Sequence, residues 1–166
     1  MSARSTNLAE SHREQEIFIE RSFNAPRELV WASWTVPDRI KLWWGPRGFT
    51  SPVCRIDFRV GGRYLFCMRS PEGQDYWSTG VYRHIEPLKK IVCTDSFADE
   101  KGKVVPASEY GMLGDWPLEL LVTVSFAEEG GRTSMTLHHV GVPPEIMDAC
   151  MIGWNESFDK LAKSLE

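Results

Sequence analysis

No run of apolar residues approaches the ~20 needed to cross a bilayer, so no membrane-spanning helix is expected. The opening MSARSTNLAESHREQ is polar and lacks the apolar stretch of a secretory signal. Residues 1–15 read as a flexible lead-in, and 16–166 as a single domain. Charge of one sign is also lacking. The chain carries 19 basic and 23 acidic side chains, a formal charge of −4, which argues against a general grip on nucleic acid or anionic lipid. The acid excess falls after residue 100, as the polar outer face of a C-terminal helix would require.

Cysteine is scarce and unpatterned. Cys54, Cys67, Cys93 and Cys150 have no short paired spacing, and without an export signal they read as free thiols in a reducing cytoplasm. There is no CxxC, HxxxH or HExxH, and the adjacent His138 and His139 point to opposite faces of a strand, so no metal is expected. The GxSxG elbow is missing, and Gly61-Gly62-Arg63 has neither the Walker spacing nor the dinucleotide fingerprint. These absences leave no cofactor and no pre-formed nucleophile to expect.

What is present is periodicity. Ile17, Ile19 and Arg21 share one face of an opening strand and Phe18 the other. Asn24-Ala25-Pro26 then opens a helix, with Asn24 as the expected N-cap. Pro37 ends that helix and starts a second, DRIKLWW, closed by Gly45-Pro46. From Val53 the period falls to two. Cys54, Ile56 and Phe58 alternate with charged residues, and after Gly61-Gly62 come Tyr64, Phe66 and Met68. Further strands are expected at 76–86, 89–97, 117–127 and 133–140. Leu118, Leu120, Val122, Val124 and Phe126 form one inward row, and Met135, Leu137 and His139 another. Residues 98–116 have no period and hold three glycines, so they read as a long loop. After Pro143-Pro144, the apolar residues Met147, Cys150, Met151, Trp154, Phe158 and Leu161 recur every three or four positions, as in an amphipathic helix. Gly153 lies within it, at a place where close approach to the sheet is expected. The order implies an α+β fold: a curled antiparallel sheet with one apolar face, covered by the long C-terminal helix.

Five segments in this order carry a resemblance: FNAPRELVWASWTVPDRIKLWWGPRGF, DFRVGGRYLFCMRSPEG, GVYRHIEP, GGRTSMTLHHVGVP and GWNESFDKLAKSL. Together they resemble the SRPBCC superfamily (START/Bet v 1-like), in the branch similar to the activator of the heat-shock protein 90 ATPase. The resemblance implies a helix-grip fold with a cavity between sheet and helix, and binding of a small hydrophobic molecule there. Eukaryotic co-chaperones of this branch carry an additional N-terminal domain that is not expected within these 166 residues, so a co-chaperone role is not the leading expectation. The expected cavity lining is Tyr64, Phe66, Met68, Tyr82, Leu120, Val122, Met147, Met151 and Trp154, with His139 or Tyr64 as the polar handle.

Two other functions stay open. A cavity enzyme of cyclase or hydrolase type would need a group that titrates near neutral pH, and His139 is the first candidate; its other reading is a hydrogen-bonded strand-end residue. A protein-interaction module would use Trp43, Trp44, Phe49 and the 98–116 loop, although the same aromatic cluster could instead plug the barrel end. Arg69, Asp75 and Tyr76 are either at the cavity mouth or ordinary turn residues. A monomer and a homodimer are equally compatible with the sequence.

Overall fold

The computed structural model describes residues 16–166; the lead-in expected at 1–15 lies outside the described residues. Seven strands form one antiparallel sheet: β1 (Glu16–Phe23), β2 (Thr50–Ile56), β3 (Arg63–Arg69), β4 (Asp75–Glu86), β5 (Lys90–Ala98), β6 (Leu120–Glu129) and β7 (Arg132–Val140). Helices α1 (Arg27–Thr35) and α2 (Pro37–Ile40) follow β1, and α3 (Met147–Ser164) closes the chain. The sheet order is β1-β7-β6-β5-β4-β3-β2. The first two strands are therefore opposite edges, and α1 and α2 carry the chain from one to the other. The sheet curls round α3, as a helix-grip fold requires.

The two-residue period places the core. Ile17 and Ile19 are buried in β1 while Phe18 is exposed. Leu120, Val122, Val124 and Phe126 line the inner face of β6, and Met135, Leu137 and His139 that of β7. Opposite them, Phe158 and Leu161 of α3 are wholly buried. Arg21 continues the inward row of β1. Its guanidinium donates to the Asn155 carbonyl and side chain and pairs with Asp159 at 2.8 Å, fixing the edge strand to the helix.

Several expectations are corrected. Asn24 does not cap α1. Pro26 holds the N-cap position with no side-chain cap, and the Arg27 N–H donates instead to the Glu128 carboxylate of β6 at 2.8 Å. A carboxylate at a helix N-terminus satisfies the same unpaired donors and the dipole. The second helix stops at Ile40, so it does not run through LWW. The Trp43 and Trp44 amides both fold back to the Ile40 carbonyl, and the Trp43 indole turns inward to donate to the Ser33 carbonyl at 2.8 Å. Leu118 is not part of the inward row: β6 starts at Leu120, and Leu118 is exposed. Pro117, without an N–H, cannot extend a ladder that ends at the Asp95–Leu120 pair.

The 98–116 segment is more ordered than its composition suggests. Ala98 bridges Val104, and Ala107–Tyr110 form a 3-10 turn. The Tyr110 hydroxyl donates to the Ala98 carbonyl and accepts from the Trp77 amide, tying the segment to β4 and β5.

Candidate functional site

Two cavities lie between the sheet and α3. The outer one measures about 310 Å³. Met68, Tyr76 and Phe97 form its sheet wall, Cys150, Gly153 and Trp154 its helix wall, and Met112 of the 98–116 segment reaches it from the side. Trp44 and Pro46 close the end nearest α2. The lining is almost wholly apolar, as befits a site that would bury most of a small hydrophobic ligand.

The inner cavity is much smaller, about 30 Å³, and deeper. Trp34, Tyr64, Phe66, Tyr82 and Val122 surround it, with Asp95 as its single acidic group. Trp44 and Trp154 border both cavities, their rings edge to face at a centroid distance of 5.8 Å.

Each wall has a local cause. Lys160 of α3 donates its ammonium to the Gly45 and Phe49 carbonyls at 2.8 and 3.1 Å, clamping the loop that carries Trp44 and Pro46. Its burial pulls its pKa down. Gly45 itself has φ of 100°, a conformation a side chain would strain. Gly80 leaves room for Tyr64: a Cβ there would stand 2.6 Å from the Tyr64 ring and 1.9 Å from the Thr94 carbonyl. The ring can thus lie flat on Phe66, with centroids 4.5 Å apart.

A polar chain runs behind the inner cavity. The Tyr64 hydroxyl lies 3.0 Å from the Thr94 carbonyl and 3.1 Å from Asp95 Oδ1. Asp95 Oδ2 lies 3.2 Å from His139 Nε2, close but out of line for a hydrogen bond. On the other side of the ring, His139 Nδ1 accepts from the Trp154 indole at 3.1 Å. An indole nitrogen only donates, so Nδ1 is unprotonated and the imidazole is the neutral tautomer with its proton on Nε2. Burial, with the negative charge of Asp95 adding to it, pushes the Tyr64 phenol well above its ordinary pKa. Tyr64 therefore stays a donor.

Of the residues expected from the sequence, Met68 and Trp154 border the outer cavity, and Tyr64, Phe66, Tyr82, Val122 and again Trp154 border the inner one. Leu120, Met147 and Met151 border neither. Leu120 is buried below the cavities, and α3 is rotated so that Cys150 and Gly153 take the places assigned to Met147 and Met151. A Cβ at Gly153 would stand 3.8 Å from the Pro46 ring and meet no atom of the sheet within 4 Å. His139 acts through Trp154 and Asp95 and borders neither space. Arg69 and Asp75 form a two-bond ion pair across their hairpin, whereas Tyr76 lines the outer cavity. Trp43 is wholly buried, so it is a plug of the barrel end and no contact surface.

The residues missed were Trp44, Phe97, Met112, Cys150 and above all Asp95. Asp95 had a legible signal. It interrupts the inward row Ile91, Cys93, Phe97 of β5 with a charge.

Among the described residues, no three His, Cys, Asp or Glu side chains stand close enough to hold a metal ion, and no helix is long and apolar enough to cross a membrane.

A curled sheet gripping one long helix, with an aromatic-walled cavity between them, defines a helix-grip protein of the SRPBCC superfamily. Within it the chain belongs to the family described as activator of Hsp90 ATPase homolog 1-like protein, whose model matches residues 24–166. No curated protein matches it. Among solved structures it is similar to a protein from Chromobacterium violaceum (27% identity, 92% of this chain and 97% of that one, TM-score 0.76). It is similar also to one from Arthrobacter aurescens (26%, 92% and 87%, 0.77). A third, an AHSA1 protein from Silicibacter pomeroyi, is 25% identical over 90% of this chain and 96% of that one, with a TM-score of 0.70.

Proposed function

We propose that this protein binds a small hydrophobic or aromatic molecule in the outer cavity, as a cytoplasmic carrier or sensor. The observation that carries this reading is the apolar space of about 310 Å³ between α3 and the sheet, walled by Trp44, Met68, Tyr76, Phe97 and Trp154. A tightly packed core of this size has few voids larger than a water, so a space of this size in the fold is a feature in need of a purpose. The catalytic alternative has less support, because neither nitrogen of His139 faces a cavity.

The test is a fluorescence titration with the neutral probe N-phenyl-1-naphthylamine. Saturable binding in a 1:1 ratio, with quenching of tryptophan emission, is expected. Cys150→Trp fills the cavity from the helix wall and should abolish it while leaving a cooperative thermal melt. Unsaturable uptake, or binding untouched by Cys150→Trp, would refute the assignment.

A further inference from the structure

Asp95 is an oddity in an aromatic chamber. Its carboxylate is partly buried, with a side-chain exposure of 24%, and it borders a space ringed by Trp34, Trp44, Trp154 and Tyr82. A carboxylate so placed needs a cation or several donors. It receives little of either. Tyr64 has one proton to share between the Thr94 carbonyl and Asp95 Oδ1. His139 is neutral, because its Nδ1 accepts the Trp154 indole, and its Nε2 is out of line with Oδ2. Among the described residues no Lys or Arg forms an ion pair with Asp95. The inner cavity thus combines a carboxylate that has no Lys or Arg partner among the described residues with the faces and edges of electron-rich rings, the surroundings that favour an organic cation. Its volume of about 30 Å³ has room for one water-sized group and no more.

We infer that the ligand carries a primary ammonium group on a hydrophobic body, the ammonium in the inner cavity against Asp95 and the body in the outer one. This deepens the ligand-binding reading of the outer cavity and rests on it. The two spaces meet only at the Trp44 and Trp154 indoles. Trp154 has one polar anchor, His139 Nδ1. Entry of the ammonium breaks that hydrogen bond and turns the indole aside. The ammonium then donates to Asp95, and the freed Nδ1 stays available as an acceptor. Quaternary ammonium groups are too large for the inner space and are excluded from it.

Three ligands with one ring system and different ends test this: 2-(2-naphthyl)ethylamine, 2-(2-naphthyl)ethanol and 2-naphthylacetate. Calorimetric titration of the full chain at pH 7 should rank the amine about ten-fold or more tighter than the alcohol, with the acid weakest. Trimethylation of the amine should remove its advantage. In Asp95→Asn the amine should bind no better than the alcohol. Equal affinities for amine and alcohol in the unaltered protein overturn the inference, and that comparison needs no variant to fold. So does an amine preference that survives in Asp95→Asn. Should the alcohol and N-phenyl-1-naphthylamine bind while the amine holds no advantage, the ammonium inference fails and the hydrophobic-ligand reading stands. If neither the probe nor any of the three compounds binds, both fail.

Discussion

The two halves of α3 face the same sheet and do different things. Its last two turns bury Phe158 and Leu161 beside β1 and Trp43, with Ser157 at the boundary still bordering the outer cavity. Its first two turns, from Met147 to Trp154, bury no residue fully and line the outer cavity with Cys150, Gly153 and Trp154. The difference lies in what stands opposite. At the closed end the sheet and the buried Trp43 indole interlock with Phe158, and Arg21 draws the edge strand onto the helix. At the open end Met68 of β3, Tyr76 of β4 and Phe97 of β5 face the helix across the cavity, and loops complete its wall: Trp44–Pro46 and Met112. One helix thus serves as core at one end and as binding wall at the other.

This contrast predicts unequal costs of truncation. Phe158→Ala should cost about 3–5 kcal/mol, as expected for a fully buried aromatic ring. Cys150→Ala, beside space already present, should cost less than about 1 kcal/mol. Urea unfolding of both variants decides, and similar losses would dissolve the distinction. Next in size, Gly80→Ala should destabilise by about 1–3 kcal/mol, because the new methyl meets the Thr94 carbonyl, which is backbone and cannot swing aside. Its aromatic near-ultraviolet circular dichroism should change as Tyr64 is displaced from Phe66.

Gly153→Ala should act in the opposite direction. The Cβ has only ordinary contact with Pro46, so the helix gains about 0.5–1 kcal/mol from a better helix former. The same methyl narrows the outer cavity and should weaken N-phenyl-1-naphthylamine binding. Stabilisation and weaker binding in one variant would separate the helix's two roles; destabilisation would mean that the helix packs closer to Pro46 than described.

The smallest effect concerns acid. Hydrogen bonds from Arg69 hold the Asp75 carboxyl below its usual pKa. A folded-state pKa below the unfolded one gives stability that is fully present above the unfolded value, about 4, and is lost as pH falls through the folded value. The pair is partly solvent-exposed, so screening by water keeps the gain small. Asp75→Asn should therefore flatten the acid limb of the urea-midpoint profile below about pH 4 and alter little at pH 7. A midpoint that drops equally at both pH values would show that the side chain acts by packing.

Much of the fold was legible because it rests on periodicity. Alternation in β1, β6 and β7 and the three-to-four spacing of α3 state which face is apolar, and the curled sheet has only one long helix to cover it. Boundaries failed where a distant partner decided them. Glu128 supplies what Asn24 was expected to supply to α1, and Leu118 lies beyond the last ladder pair of β6.

The candidate site was legible only in part. Tyr64, Phe66, Tyr82, Val122 and Trp154 could be placed on inward faces, since the direction of a side chain follows from strand or helix phase. Which inward residues meet a cavity and which fill the core depends on sheet curvature, on the rotation of α3 and on loops with no period of their own. Hence Leu120, Met147 and Met151 fall outside the cavities, while Trp44, Met112 and Cys150 border the outer one. The sequence by itself determined the elements, their faces and the family. Tertiary structure alone decided that Tyr64, Asp95, His139 and Trp154, drawn from β3, β5, β7 and α3, form one polar chain behind aromatic walls. Polar contacts between residues so far apart in the chain obey no local period; they exist only where the curled sheet brings the strands and the helix together.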